Sequence, residues 1–221
     1  MSRRPQRPIL AALLALALAP AASLAGDLGP LEPIADLHRA VRDSLGLPEP
    51  LIVRLLEAGT PDLDLPVVGF LSGQLGQPPE HIAELHRSGL SFLDITLRFG
   101  AGPELFYVPF ERDPGPPYGK AWGYYKKTPR SRWSSIRLSD AEIVDLVNLR
   151  VARDYYGVPV DHVVKMRKEG KDFSRIYRDL ADETGKGRDR GGPPDSARDD
   201  DRGKGKGKGK GKGKGHGRAI Q

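Results

Sequence analysis

Apolar residues in this chain keep a fixed relation to a glycine and a proline, three times over. The segments Leu45-Gly46-Leu47-Pro48, Leu75-Gly76-Gln77-Pro78 and Tyr156-Gly157-Val158-Pro159 share one pattern, and a second glycine follows each at the same interval, at Gly59, Gly89 and Gly170. Between the glycines the apolar pairs Ile52/Leu55, Ile82/Leu85 and Val163/Met166 coincide, and upstream Val41, Leu71 and Ala152 are equivalent. Copies two and three stay in register through Phe92/Phe173 and Ile95/Ile176, behind candidate helix starts at Ser91 and Asp172; the first copy lacks the downstream phenylalanine. The pattern predicts helix, tight turn, helix. Glycine takes the positive φ that turns the chain, and the proline two residues on opens the next helix, where its missing N–H is no loss. Apolar residues three apart share one helical face and pack on the upstream apolar position. Ser139 and Glu142 form a capping box before the run Ile143, Val144, Leu146, Val147 and Val151. The expected fold class is therefore mainly α, built from repeated units.

Around each turn glycine the residues resemble the helix-turn-helix motif, with apolar positions before and after the glycine and two more in the second helix, as at Tyr156, Val158, Val163 and Met166. The resemblance covers about twenty residues of each copy. It departs from the motif where a small alanine usually packs, at Arg42, Ser72 and Arg153. The start of the second helix, which in the motif faces DNA, carries Glu49, Glu80, Glu84 and Asp161, and acids there repel phosphate. The implied use is architectural.

The two ends of the chain break the helical pattern. Arg3, Arg4 and Arg7 precede an uninterrupted apolar run from Ile9 to Ala19, too short to span a bilayer; Pro20 follows, and Ser23-Leu24-Ala25 offers small residues to a signal peptidase. Residues 1–25 therefore read as a signal peptide cleaved before Gly26, with Ala22 the alternative, and the protein as exported, periplasmic or secreted. From Gly185 the only apolar residues are Ala197, Ala219, Ile220 and two prolines, so nothing offsets the entropy of ordering the chain, and 185–221 reads as a disordered Gly/Lys-rich tail.

Charge sharpens this division. The body from Gly26 to Thr184 carries 20 basic against 24 acidic side chains, a balance of −4, and the tail carries 12 against 5, a balance of +7. In the tail Lys204, Lys206, Lys208, Lys210, Lys212 and Lys214 alternate with glycines, with Arg218 beyond. In an extended chain that spacing is roughly 7 Å, within one Debye length, so the ammonium groups act together as a polycation. Such a chain binds anionic envelope polymers or lipid headgroups, and DNA only non-specifically; the alternative is a solubilising appendage with no partner.

A second cationic stretch interrupts the helical body, as an insertion around residues 100–138. No acid occurs from Pro114 to Ser139, while Lys120, Lys126, Lys127, Arg130, Arg132 and Arg137 alternate with Tyr118, Trp122, Tyr124, Tyr125 and Trp133, which include both tryptophans of the chain. The Gly/Pro-rich start at Asp113 to Gly119 reads as a loop, with short strands at Leu105 to Phe110 and Ala121 to Tyr125 as the regular elements it has room for. Aromatic faces that stack on sugars or bases beside cations that pair with phosphate or carboxylate suit an anionic ligand, which marks Trp122, Tyr124, Tyr125, Lys126, Lys127, Arg130, Arg132 and Trp133 as candidate ligand-binding residues. The competing reading folds the aromatics onto the helical core and leaves the cations as a solvated rim.

Other chemistry finds little footing. With 0 cysteines the chain has no disulfide, thiolate metal site or cysteine nucleophile. His81, Glu84 and His86 lack zincin spacing, and His162 stands in the place equivalent to His81, which points to structural histidines. No serine elbow or phosphate loop is present. No cofactor and no catalytic residue are assigned, and no membrane span is expected once the signal is removed. The sequence thus leads to a non-catalytic envelope protein that binds anionic polymers. Its alternatives are an envelope hydrolase with an unidentified site and a nucleic-acid-binding helix-turn-helix protein.

Overall fold

The computed structural model describes residues 32–186, so the signal peptide expected over 1–25 and the tail beyond Lys186 lie outside the described residues. Within that span the fold is mainly α, with no strand among the described residues. The three expected units are present as α1 (Glu32–Leu45) and α2 (Glu49–Glu57), α3 (Leu65–Leu75) and α4 (Pro79–Arg87), then α7 (Asp140–Tyr156) and α8 (Val160–Lys168). Units two and three each add a third helix, α5 (Phe92–Arg98) and α9 (Phe173–Thr184). The remaining helix, α6 (Gly119–Lys127), belongs to the insertion between α5 and α7. Among the described residues no helix is long and apolar enough to cross a membrane.

The turn glycines behave as their chemistry requires. Gly46, Gly76 and Gly157 take φ values of 70°, 64° and 71°, and Gly76 and Gly157 cap their helices in the left-handed conformation. The prolines differ slightly from expectation. Pro48, Pro78 and Pro159 sit one residue outside the second helix, extended, as N-cap residues whose carbonyls receive the first helical N–H groups. An extended proline also keeps the preceding residue out of the helical region, so it ends the turn as well as starting the helix. The caps of the third helices match the sequence reading: Ser91 accepts from the Asp94 N–H and Asp172 from the Arg175 N–H. The Ser139/Glu142 capping box is formed in full.

The first helices of the three units, α1, α3 and α7, pack on one another, and α9 lies along α1 and α7, so the last element closes onto the first. Val41, Leu71 and Ala152 are each 0% exposed in the shared core, as the repeat requires. Where a third helix would follow α2, the chain takes a single turn of 3-10 helix, Asp62–Asp64, held to α7 because the Asn148 amide donates to the Leu63 carbonyl at 2.9 Å.

Two glycines of α3 show how the packing sets tolerance. Gly73 is exposed with open space around it, whereas a Cβ on buried Gly69 would lie 2.9 Å from Leu47 Cδ1 and 3.1 Å from Leu45 Cβ. Gly73→Ala is expected to stabilise by about 0.5 to 1 kcal/mol and Gly69→Ala to destabilise by about 1 to 3 kcal/mol, both read from denaturant midpoints. Stabilisation by both would show that α1 does not pack against α3 as described.

The insertion corrects one expectation. Leu105 to Phe110 is not a strand: it leaves a 3-10 turn at Pro103–Phe106 and runs extended without a ladder partner, and Ala121 to Tyr125 lies inside α6. Tyr118, Ala121 and Tyr125 turn inward at 1%, 1% and 5% exposure, with Trp122 half-buried beside them. Their spacing, i, i+3, i+4 and i+7, is helical, and burial of that face outweighs the aromatic and basic alternation that suggests a strand.

Candidate functional site

The insertion is anchored before it presents anything. The Arg150 guanidinium, from α7, donates to the Tyr107 carbonyl at 2.7 Å and lies 4.9 Å from the Phe70 ring centroid, and burial lowers its pKa. Phe106, Val108 and Tyr118 are buried, so the segment before α6 is a strap laid over the helices. The Tyr125 hydroxyl donates to the Pro103 carbonyl at 2.5 Å, closing the strap onto α6, and burial pushes its pKa up. These contacts fix the base of α6 against the core.

On this base sits an aromatic floor with cations around it. Tyr107, Tyr125 and Trp133 form a triangle with ring centroids 4.8 to 5.2 Å apart. The Trp133 indole N–H donates to the Thr128 carbonyl at 3.0 Å. Lys126 Nζ stands 4.3 Å from the Trp122 ring centroid, the Arg130 guanidinium 5.3 Å from that of Trp133, and Lys120 Nζ 5.9 Å from that of Tyr124. Between strap and floor lies a hollow of about 270 Å³ lined by Tyr107, Phe110, Glu111, Trp122, Tyr125, Lys126 and Trp133.

The two readings of the segment thus divide it between them. Tyr125, Trp133 and Tyr118 serve the fold, while Trp122 and Tyr124 keep partly open faces. Lys126, Lys127, Arg130 and Arg132 are exposed, and among the described residues none of them forms an ion pair with a carboxylate. Lys120 differs, because Glu142 lies 3.7 Å away and raises its pKa. Cations elsewhere are commonly neutralised, as in Arg167 with Asp145 at 2.9 Å and Arg175 with Asp179 at 2.8 Å. Four exposed cations without carboxylate partners thus stand close in sequence at the end of α6 and in the 3-10 turn Arg130–Ser135 that follows it. A cation over an exposed ring gains about 0.5 to 1 kcal/mol and is held in place without losing its charge to a neighbour.

Tyr107 and Phe110 complete the hollow but escaped the sequence reading, because they precede the acid-free window that singled out the segment. The helical spacing of Tyr118 to Tyr125 is the signal that joins them to it. The tail cations Lys204, Lys206, Lys208, Lys210, Lys212, Lys214 and Arg218 lie outside the described residues.

Among the described residues no group of three or more histidines and carboxylates is placed to hold a metal ion. His38 pairs with Asp62 at 2.8 Å, His162 with Glu183 at 2.9 Å, and His86 stacks on Phe92 with ring centroids 3.8 Å apart while Asp64 lies 3.6 Å from its Nε2. Burial raises the pKa of Asp64. His38 and His86 are thus both tied to the 3-10 turn Asp62–Asp64, and His162 to α9. Comparison with protein-family models, with curated proteins and with solved structures finds no match for this chain.

Proposed function

We propose that this is a non-catalytic, exported protein of the cell envelope that docks on anionic polymers through the α6 face, with the polycationic tail adding a non-specific attraction. One observation carries the reading: Lys126 and Arg130 stand over the rings of Trp122 and Trp133, Lys127 and Arg132 are exposed on the same segment, and none of the four has a carboxylate partner among the described residues. A cluster of like charges destabilises a fold through self-repulsion unless something of opposite sign relieves it, so its retention on an anchored helix favours a ligand. The apolar run behind Arg3, Arg4 and Arg7 supports export, where the polymers on offer are acidic glycans and anionic lipid headgroups.

The test replaces all four cations by glutamine. Each cation near an anionic surface is worth about 1 kcal/mol, so the variant is expected to bind polygalacturonate at least about tenfold more weakly at physiological salt. Its thermal midpoint should stay close to that of the parent, since the four side chains are exposed. Unchanged affinity would remove the α6 face from the account.

A further inference from the structure

The 3-10 turn Asp62–Asp64 is gripped by histidines from two different helices. His38 of α1 reaches Asp62 and His86 of α4 reaches Asp64, while the Asn148 amide of α7 holds the Leu63 carbonyl between them. The turn stands where the first unit lacks a third helix, so these contacts tie all three units to one point.

The two histidine contacts differ in what they ask of the ring. A neutral imidazole carries one N–H and a charged one carries two, and the partners decide which nitrogen bears the hydrogen. His86 Nδ1 lies 2.9 Å from the Leu90 carbonyl oxygen, an acceptor only, so the hydrogen of the neutral ring belongs on Nδ1. Nε2 then turns a lone pair toward Asp64 Oδ2 at 3.6 Å, where lone pair and carboxylate repel. That contact is attractive only with a second proton, carried by Nε2 or by the carboxyl. Turning the ring over would break its bond to Leu90. His38 Nε2, 2.8 Å from Asp62 Oδ1, is under no such constraint, because its Nδ1 has no partner among the described residues and the neutral ring can keep its hydrogen on Nε2.

Nothing else relieves Asp64. Its side chain is 14% exposed, it precedes α3 without making a side-chain cap, and among the described residues its only ion-pair partner is His86. Asp140, at the start of α7, adds negative charge on this side and accepts the Phe92 N–H at 2.7 Å. Arg87, next to His86 on α4, points away to the Ala58 carbonyl. Burial raises the pKa of Asp64, opposed by the charge of His86 and reinforced by that of Asp140.

We propose that the Asp64–His86 pair is a proton-operated clasp. With its proton the pair fastens α4 to the start of α3. Without it the carboxylate is left buried and unpaired and that junction loosens, while His38 keeps its hold on Asp62 in either state. The sign follows from the raised carboxyl: the contribution of the clasp is full below the ordinary value of 3.8 and is lost as pH rises through the titration of the folded pair, which releases its last proton as a unit.

Nitrogen NMR of the full chain should follow the His86 ring from about pH 4 to about pH 8, the span that covers carboxyl and imidazole titration. At the alkaline end a neutral ring with its hydrogen on Nδ1 is expected. Asp64→Asn supplies the control, since its amide donates to a neutral Nε2 and its oxygen accepts from a charged one, whatever the pH. Between about pH 5 and about pH 8 the denaturant midpoint of the parent should fall at least about twice as far as that of Asp64→Asn. At the alkaline end the amides of α3 should exchange at least about threefold faster in the parent than in that variant. His38→Gln should keep the pH dependence of the parent. A neutral His86 with its hydrogen on Nε2 would overturn the proposal, because that tautomer binds the carboxylate without a further proton. Equal falls in the parent and Asp64→Asn would overturn it as well, and a flattened response in His38→Gln would move the device to Asp62 and overturn the assignment to His86.

Discussion

Tyr177→Ala is expected to destabilise the protein by about 3 to 5 kcal/mol, the range for emptying a large aromatic site in a core that only partly collapses. Tyr177 is 0% exposed on α9, with the rings of Tyr156 and Phe173 at 6.1 and 6.4 Å between centroids. It stands where the last helix closes onto α1 and α7, so the cavity would open at the joint of the fold. Domains of this size have a total stability of about 5 to 15 kcal/mol, and the variant should be marginal at physiological temperature. Tyr177→Phe is the control. The hydroxyl makes only a long bond of 3.4 Å to the Asn148 carbonyl, and its removal should cost less than about 1.5 kcal/mol. Denaturant midpoints for the pair check this, and equal small losses would mean that α9 does not close the core.

The second large effect concerns the tail, through its charge alone. Replacing Lys204, Lys206, Lys208, Lys210, Lys212 and Lys214 with glutamine is expected to remove most of the affinity for DNA, anionic vesicles and lipopolysaccharide at low salt, by orders of magnitude. Polycations bind by releasing condensed counterions, so log affinity falls linearly with log salt, and each engaged lysine contributes about 0.7 to 0.9 to the slope on nucleic acid. The glutamine variant should therefore show a shallower slope, and what remains should come from the α6 face. Titrations at several salt concentrations measure both slopes. An unchanged slope would reduce the tail to a solubilising appendage.

Much of the helical architecture was legible because its signals are local. A glycine at positive φ, a proline that cannot continue a helix and a serine or aspartate cap each act within a few residues, so Gly157, Pro159, Ser139 and Asp172 could be placed from the chain alone. The repeat extended that reach, since copies in register confirm one another. The insertion resisted for the opposite reason. Whether Tyr118 to Tyr125 forms strand or helix depends on which rings find a partner, and that partner, Pro103 with the Tyr107 strap, is supplied by Arg150 from a distant helix. The candidate cations were singled out as a composition, and the division of labour among the aromatics was not available from it. Trp133 and Trp122 look alike in the sequence, yet one donates to the Thr128 carbonyl in the floor and the other keeps a partly open face under Lys126.

The chain holds only two tryptophans, Trp122 and Trp133, and both lie at the α6 face, so emission excited selectively from tryptophan reports on the proposed site. The most direct measurement is tryptophan emission during titration with polygalacturonate, on the chain whose six tail lysines are glutamine. If the α6 face is the docking surface, emission should change saturably in that variant and stay flat when Lys126, Lys127, Arg130 and Arg132 are also replaced by glutamine. Saturable binding by calorimetry with no change in emission would place the polymer elsewhere and contradict the account.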